Sequence, residues 1–295
     1  MAFRPRRTAL YMPGSNARAL EKARSIDVDV LLLDLEDSVA PDKKDEAREQ
    51  VADAVMSGGF GYREVVVRMN GMDTQWGEAD LETIIKAKPD AVLVPKVGSA
   101  EDVYVIGRKL NDAGAEQDLK IWAMMETPGA MLRAAEIAGA TMEYHGRRLS
   151  CFVMGTNDLA KESRARMVPG RAPMMPWLMQ CLAAARAYDL DILDGVYNNF
   201  SDLEGFVAEC EQGAEMGMDG KTVIHPKQAA DCNRIFSPDE AEIEWSREVI
   251  TAFDAPENLS KNVMTINGKM VERLHADMAR RVVQIAEAIT KRDEQ

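Results

Sequence analysis

The sequence predicts a closed (β/α)8 TIM barrel followed by a C-terminal helical extension that is an independent cap, an oligomer contact or a lid, and three observations predict the barrel. Eight short apolar runs recur along the chain: Thr8 to Met12, Val30 to Leu33, Val65 to Val67, Ala91 to Val94, Ile121 to Met125, Leu149 to Met154, Ile192 to Leu193 and Thr222 to Ile224. Most are separated by about 20 to 40 residues, room for one helix and two loops, which is the period of a β/α unit. At or just past their ends stand Gly14-Ser15, Asp34-Glu36-Asp37, Arg68-Asn70, Lys96, Glu126, Asn157-Asp158, Asp194 and His225. A barrel gathers such residues, because the C-terminal ends of its strands meet around one mouth. An open doubly wound sheet also collects polar residues at strand ends and is the competing architecture.

The elements follow in order. Ser15 is placed to cap a helix over Asn16 to Arg24, and Asp42 to Met56 carries Ala47, Val51 and Val55 at helical spacing. Further helices are predicted over Glu78 to Lys88, Ala100 to Asn111, Gly129 to Ile137, Trp177 to Tyr188, Asp202 to Met216 and Pro226 to Ile235, with Gly and Pro at most boundaries. Met142 to Arg148 reads as a loop. So does Ser163 to Pro176, with three prolines and three arginines, as a flap or an exposed connector. The barrel is expected over residues 1–236. From 237 to 295 the pattern changes: a helix starts at Ser237-Pro238-Asp239-Glu240, an irregular stretch holds Pro256, and an amphipathic helix is expected over Met270 to Thr290.

Bulk properties fit an enzyme of small metabolites. The 295 residues suit one barrel of about 250 residues plus an appendage. A net charge of −13 argues against nucleic acid or an anionic membrane as partner. No apolar run approaches the roughly 20 residues of a membrane span, and no apolar signal segment follows the basic Met1 to Arg7. Four cysteines without a CxxC pair read as reduced thiols of a cytoplasmic protein.

Only three histidines are present, at 145, 225 and 275, and none has the spacing of a zinc site. Carboxylates must then supply any metal centre. Glu126 and Asp158 end adjacent strands and suit Mg2+, which takes hard oxygen ligands and keeps room for water and substrate. Taken singly, Glu126 as a cap before Thr127-Pro128-Gly129 and Asp158 as a cap of the next helix are equally open. Arg68, ending strand three, is oriented to grip a carboxylate in a fork. Lys96 carries the rival chemistry, a Schiff-base aldolase, although Asp34, Glu36 and Asp37 would hold a lysine charged. The segment Gly217 to Thr222 fails as a phosphate loop, since position 215 is Glu and a strand follows it.

Taken together, Leu10-Tyr11-Met12-Pro13-Gly14-Ser15, Asp34-Leu35-Glu36-Asp37-Ser38-Val39-Ala40-Pro41, Val67-Arg68-Met69-Asn70-Gly71, Val94-Pro95-Lys96-Val97, Glu126-Thr127, Gly155-Thr156-Asn157-Asp158-Leu159 and Ile224-His225-Pro226-Lys227-Gln228 resemble the CitE-like branch of the HpcH/HpaI aldolase superfamily. The motifs span nearly the whole chain in order. The resemblance implies Mg2+, or Mn2+ in its place, on Glu126 and Asp158. It implies Arg68 as the clamp for the carboxylate of a 2-oxo acid, with Gly155 and Asn157 also at the substrate. Tyr11, Gly14, Ser15 and Lys22 fall where the family binds the coenzyme A part of its substrate. Asn16 stands where malyl-CoA lyases often carry arginine. Glu36 and Asp37 match an acidic motif expected to support Arg68 and the water on the metal, or to share in catalysis. In the family's lyases a Gly-Lys-Met-Ile-Asp type segment lies on a lid that reaches a neighbouring subunit. Here it reads Gly268-Lys269-Met270-Val271-Glu272, with Glu272 in place of the catalytic Asp.

The implied reaction is Mg2+-dependent cleavage of a carbon–carbon bond in a 3-hydroxy-3-carboxyacyl-CoA, such as malyl-CoA, β-methylmalyl-CoA or citramalyl-CoA, to a 2-oxo acid and an acyl-CoA. Two alternatives stand beside it. One is hydrolysis by a (3S)-malyl-CoA thioesterase, whose lid resembles Val271-Glu272-Arg273-Leu274-His275. The other is a citrate lyase beta-like subunit acting on an acyl carrier protein. A homo-oligomer, trimer or hexamer, with lid exchange is implied as well.

Overall fold

The computed structural model describes residues 4–294. The chain divides into two compact units, one over Arg6–Asn233 and one over residues 4–5 and 234–294 of the described chain.

The first unit is a closed barrel of eight parallel strands in sequential order. Its elements are β1 (Thr8–Pro13), α1 (Ala17–Ala23), β2 (Val30–Asp34), α2 (Lys44–Ser57), β3 (Glu64–Arg68), α3 (Gly77–Ala87), β4 (Ala91–Val94), α4 (Ala100–Asp112), β5 (Lys120–Met125), α5 (Pro128–Leu132), α6 (Ala134–Gly139), β6 (Leu149–Met154), α7 (Thr156–Ser163), α8 (Met175–Ala187), β7 (Asp191–Asp194), α9 (Leu203–Met216), β8 (Gly220–Val223) and α10 (Ala229–Ile235). Closure runs through β1 and β8, with Thr8 opposite Lys221 and Leu10 opposite Val223. The barrel, not the open sheet, is the fold.

Side chains alternate across a strand with a period of two, so one set from each strand fills the barrel interior. That set is Ala9, Val30, Leu32, Val66, Ala91, Leu93, Trp122, Met124, Cys151, Val153 and Leu193, all buried. The same parity carried toward the C-terminal ends reaches Tyr11, Asp34, Arg68 and Glu126. The alternation that packs the core thus also aims four polar side chains at the mouth. At the opposite end Arg6 closes the interior, paired with Glu64 at 2.7 Å and Asp191 at 2.5 Å and stacked over the Trp122 ring.

Several helix ends differ from the sequence-based expectation for local reasons. Asn16, not Ser15, caps α1, its Oδ1 accepting from the Ala19 N–H at 3.1 Å. The predicted helix over Gly129 to Ile137 breaks at Arg133, which has left helical geometry, giving α5 and α6. Thr127, not Glu126, caps α5. Helix α7 follows β6 directly and shortens the connector after it, and this connector is pinned by a buried residue, Arg171.

The second unit contains α11 (Glu240–Asp254), an antiparallel hairpin of β9 (Val263–Ile266) and β10 (Lys269–Glu272), and α12 (Arg273–Asp293). Val249, Phe253, Val271, Ala276 and Ala279 form its core. The expected final helix from Met270 is corrected here. Asn267 and Gly268 both take positive φ, 49° and 78°, so Asn-Gly makes a tight hairpin turn and Met270 lies in a strand. Among the described residues no helix is long and apolar enough to cross a membrane.

Candidate active site

A cavity of about 290 Å3 opens at the C-terminal ends of the barrel strands, lined among others by Tyr11, Asp37, Arg68, Glu126, Asn157 and Asp158. The eight-strand closure brings together groups that lie up to 213 residues apart in sequence, Tyr11 to Ile224.

Arg68 ends β3 and is buried. Its Nε and Nη2 both donate to Asp34, at 2.6 Å each, so one edge of the guanidinium is closed by a bidentate pair. Asp34 also accepts the backbone N–H groups of Glu36 and Ser38, which folds the acidic loop around itself. Burial works against its charge, but Arg68 prevails and holds the Asp34 carboxyl below its ordinary range. The remaining edge of Arg68 presents Nη1, which lies 2.9 Å from Glu36 and 3.3 Å from Asp37. Its plane rests over the Tyr11 ring at 4.9 Å. The Tyr11 phenol is kept protonated, its pKa raised chiefly by burial.

Glu126 follows β5 and is 1% exposed. Its Oε1 accepts the backbone N–H of Lys96 at 2.7 Å. Burial, with the neighbouring Glu36 charge, pushes its pKa up to about 8. Gly155, at the end of β6, makes room for it: a Cβ there would stand 2.4 Å from Glu126 Cβ and 2.5 Å from Oε2. Asp158 sits in the first turn of α7, half-buried, on the same cavity wall. Two hard carboxylates in one cavity, one of them buried at the end of β5, fit a divalent cation such as Mg2+ with open positions left for other ligands. Among the described residues no three His, Cys, Asp or Glu side chains gather into a closed cage.

The other predicted residues fall in several environments. Asn157 exchanges reciprocal amide hydrogen bonds with Asn198 at 3.0 and 2.8 Å on the rim. Gly14 serves packing, since a Cβ would meet the Asp34 carbonyl at 2.6 Å and Val51 at 2.9 Å. Ser15 is half-buried, and Lys22 is exposed on α1. Neither lines the cavity around Arg68 and Glu126. Glu272 belongs to the second unit, at the N-cap of α12, where its backbone N–H donates to His275 Nδ1 at 2.9 Å.

Residues left without a role by sequence reasoning are placed as well. Asp194 is fully buried in an ion cluster with Arg171 Nη1 at 2.7 Å and Lys221 at 2.9 Å, and Lys221 also reaches Glu209 at 2.7 Å. His225 caps the turn after β8 through Nδ1 and stacks on Phe200, with centroids 4.9 Å apart. Lys96 bears an ammonium whose burial is outweighed by Glu36, Asp37, Glu126 and Asp158, so its pKa is raised and it stays charged. That opposes a Schiff base, which needs a neutral amine. Asp34 was missed as a site residue. Its signal is parity: it shares the interior face with Val30 and Leu32, where a carboxylate needs a partner.

Comparison with known proteins agrees with the barrel fold. The family model described as HpcH/HpaI aldolase/citrate lyase matches residues 7–226. Over 285 residues the chain is 50% identical to a protein of Cereibacter sphaeroides (strain KD131 / KCTC 12085) named (3S)-malyl-CoA thioesterase, covering 97% of this chain and 96% of the relative. It is 31% identical over 302 residues to the mitochondrial citramalyl-CoA lyase of Rattus norvegicus, covering 98% and 88%. Among solved structures, CitE from Mycobacterium tuberculosis in complex with magnesium, acetoacetate and coenzyme A superimposes with a TM-score of 0.74 at 26% identity, over 95% of this chain and 97% of that one.

Proposed function

The chain belongs to the HpcH/HpaI aldolase/citrate lyase family and is an enzyme, and from that premise we propose that it hydrolyses the thioester of a (3S)-malyl-CoA type substrate in a Mg2+-dependent reaction. Sequence reasoning placed carbon–carbon cleavage first and hydrolysis second; the half-identical thioesterase relative reverses that order. The observation that carries the proposal is the single cavity that joins Glu126 and Asp158 to Arg68. This is the grip a short hydroxy acid needs, with a carboxylate at one end and a cation-binding hydroxyl beside it.

Glu126 and Asp158 would hold Mg2+, with Lys96 N–H fixing the Glu126 carboxylate. When bound, Mg2+ supplies positive charge that polarises substrate oxygens. Arg68 binds the malyl carboxylate through Nη1, the donor that Asp34 leaves free of its bidentate pair. Tyr11, protonated and packed beneath Arg68, keeps the guanidinium plane fixed. With the acyl group so held, the oxygen of a water gives up a proton and bonds to the thioester carbonyl carbon, the C–S bond breaks, and the released thiolate takes that proton. Glu272 is included in the proposal as the proton-handling residue that the family resemblance implies. Tyr11, Gly14, Ser15 and Lys22 are included as coenzyme A contacts on the same ground.

The test is to incubate the protein with malyl-CoA, with Mg2+ or with EDTA, and to measure malate, glyoxylate and free thiol separately. Malate and thiol in equal amounts, abolished by EDTA, is the expected result. Glyoxylate without thiol would replace hydrolysis with cleavage.

A further inference from the structure

Lys96 is a non-glycine residue in left-handed backbone geometry, with φ of 54°. Such a conformation costs an L-residue roughly 1–2 kcal/mol and persists only where surrounding contacts enforce it. Here the turn after β4 aims the Lys96 N–H at Glu126 Oε1, 2.7 Å away. The same turn sends the side chain toward the acidic loop, where Nζ lies 3.5 Å from Glu36 Oε1. Glu36 therefore bridges two cations, one through each oxygen: Lys96 through Oε1 and Arg68 Nη1 through Oε2.

The two ends of that bridge differ. The Glu36 contact with Arg68 is close in distance but lacks hydrogen-bond alignment, and Oε2 is buried without a hydrogen-bond donor. The Asp34 contacts on the other edge of Arg68 are aligned and short. Of the guanidinium's carboxylate contacts, those at Nη1 are thus the ones open to exchange. Nη1 also donates to Asp37 Oδ2 at 3.3 Å, so an incoming carboxylate that takes Nη1 moves both Glu36 and Asp37 off it. Three cations face the acidic loop: Arg68, Lys96, and Lys44, whose Nζ is held by the Leu35 and Glu36 carbonyls at 2.8 and 2.7 Å. Lys96 is the one already beside the Glu36 carboxylate, so a displaced Glu36 has Lys96 to go to.

We propose that Lys96 is a positioning residue that receives Glu36 when the carboxylate of the acyl group displaces it from Arg68 Nη1, and so sets the site's affinity for that carboxylate. This rests on the function proposed above.

The experiment compares Lys96→Met, which removes the charge and keeps the N–H, with Lys96→Arg, which keeps both. KM and kcat for malyl-CoA are measured by thiol release, and affinity for Mn2+ alone by calorimetry. Lys96→Met is expected to raise KM about fivefold, the scale of a half-exposed ion pair, with kcat within twofold. Lys96→Arg should restore KM, and Mn2+ affinity should stay unchanged in both. In a Glu36→Gln background, Lys96→Met should add no further effect. A KM for Lys96→Met within twofold of the native enzyme overturns the proposal, and so does the full effect persisting with Glu36→Gln. If Lys96→Met fails to fold, the Lys96→Arg and Glu36→Gln proteins decide the matter: unchanged KM with Glu36→Gln, where displacement is no longer needed, also overturns it. Glu126→Gln serves as the control, since full Mg2+-dependent turnover in that variant would overturn the metal reading regardless of Lys96.

Discussion

Glu126 offers a test in which pH, metal and a single isosteric change act on the same atom pair. Its carboxyl is buried and its pKa is raised from the ordinary 4.5 to about 8, burial being the main cause. Because the folded value lies above the unfolded one, the metal-free fold binds this proton more tightly than the unfolded chain does. The associated stability is fully present below pH 4.5 and is lost as pH rises toward 8. At about 1.4 kcal/mol per pH unit, the loss reaches roughly 3 kcal/mol between pH 4.5 and 7. For a chain of this size that corresponds to a melting-temperature difference of roughly 6 to 12 °C. Glu126→Gln keeps the shape and can still accept the Lys96 N–H, but it has no proton to lose. Thermal melts of both proteins in EDTA, from pH 5 to 8, should therefore diverge, with the native protein falling relative to the variant as pH rises. Mg2+ should then raise the native melting temperature, most strongly at the alkaline end, and leave Glu126→Gln nearly unmoved. Parallel melting curves across the pH range, or equal Mg2+ stabilisation of both proteins, would refute the reasoning.

Other substitutions test separate parts of the site. Arg68→Lys loses the fork that Asp34 holds at two points and should lower kcat/KM by about a hundredfold, read by thiol release from malyl-CoA. Gly155→Ala drives a methyl into Glu126 and should weaken Mn2+ binding at least about tenfold by calorimetry while the far-ultraviolet circular dichroism stays native. Arg171→Met strands Asp194 with Lys221 alone and should cost about 3 kcal/mol in urea denaturation. Glu272→Gln separates two roles, since loss of turnover with an unchanged melting temperature supports proton handling, and unchanged kinetics removes Glu272 from the mechanism.

The barrel was legible because its signals are local and repeated. Each strand is a short apolar run, and most units recur at a spacing of about 20 to 40 residues, so eight weak observations reinforce one another. Residues at strand ends were legible for the same reason: Arg68, Glu126 and Asp158 follow runs whose placement was clear. The hairpin of the second unit was missed although Asn267-Gly268 carries a strong turn signal, because Met270 to Thr290 was read as one helix by its apolar period. The break at Arg133 left no mark of that kind, since neither Gly nor Pro stands there.

Pairing was the harder matter. Asp34, Glu36 and Asp37 are three acids within four residues, and nothing in their order tells which one closes the bidentate edge of Arg68. Period two puts Asp34 on the interior face of β2, and β2 lies beside β3, so that the parallel register sets Asp34 opposite Arg68. Asp194 shows the same limit, because its partners Arg171 and Lys221 come from a connector and a neighbouring strand.

By itself the sequence determined the number and order of the β/α units, the identity of the polar residues at their ends and the carboxylate character of the proposed metal site. Those properties depend on periodicity and residue type, which a linear chain displays. Only the tertiary structure decided that Asp34 locks one edge of Arg68, that Glu36 bridges Arg68 and Lys96, and that Gly14 and Gly155 exist to admit a neighbour's atoms. These are consequences of strand register and close packing, where about an ångström separates a contact from a clash, and that distance is set by segments far apart in the chain.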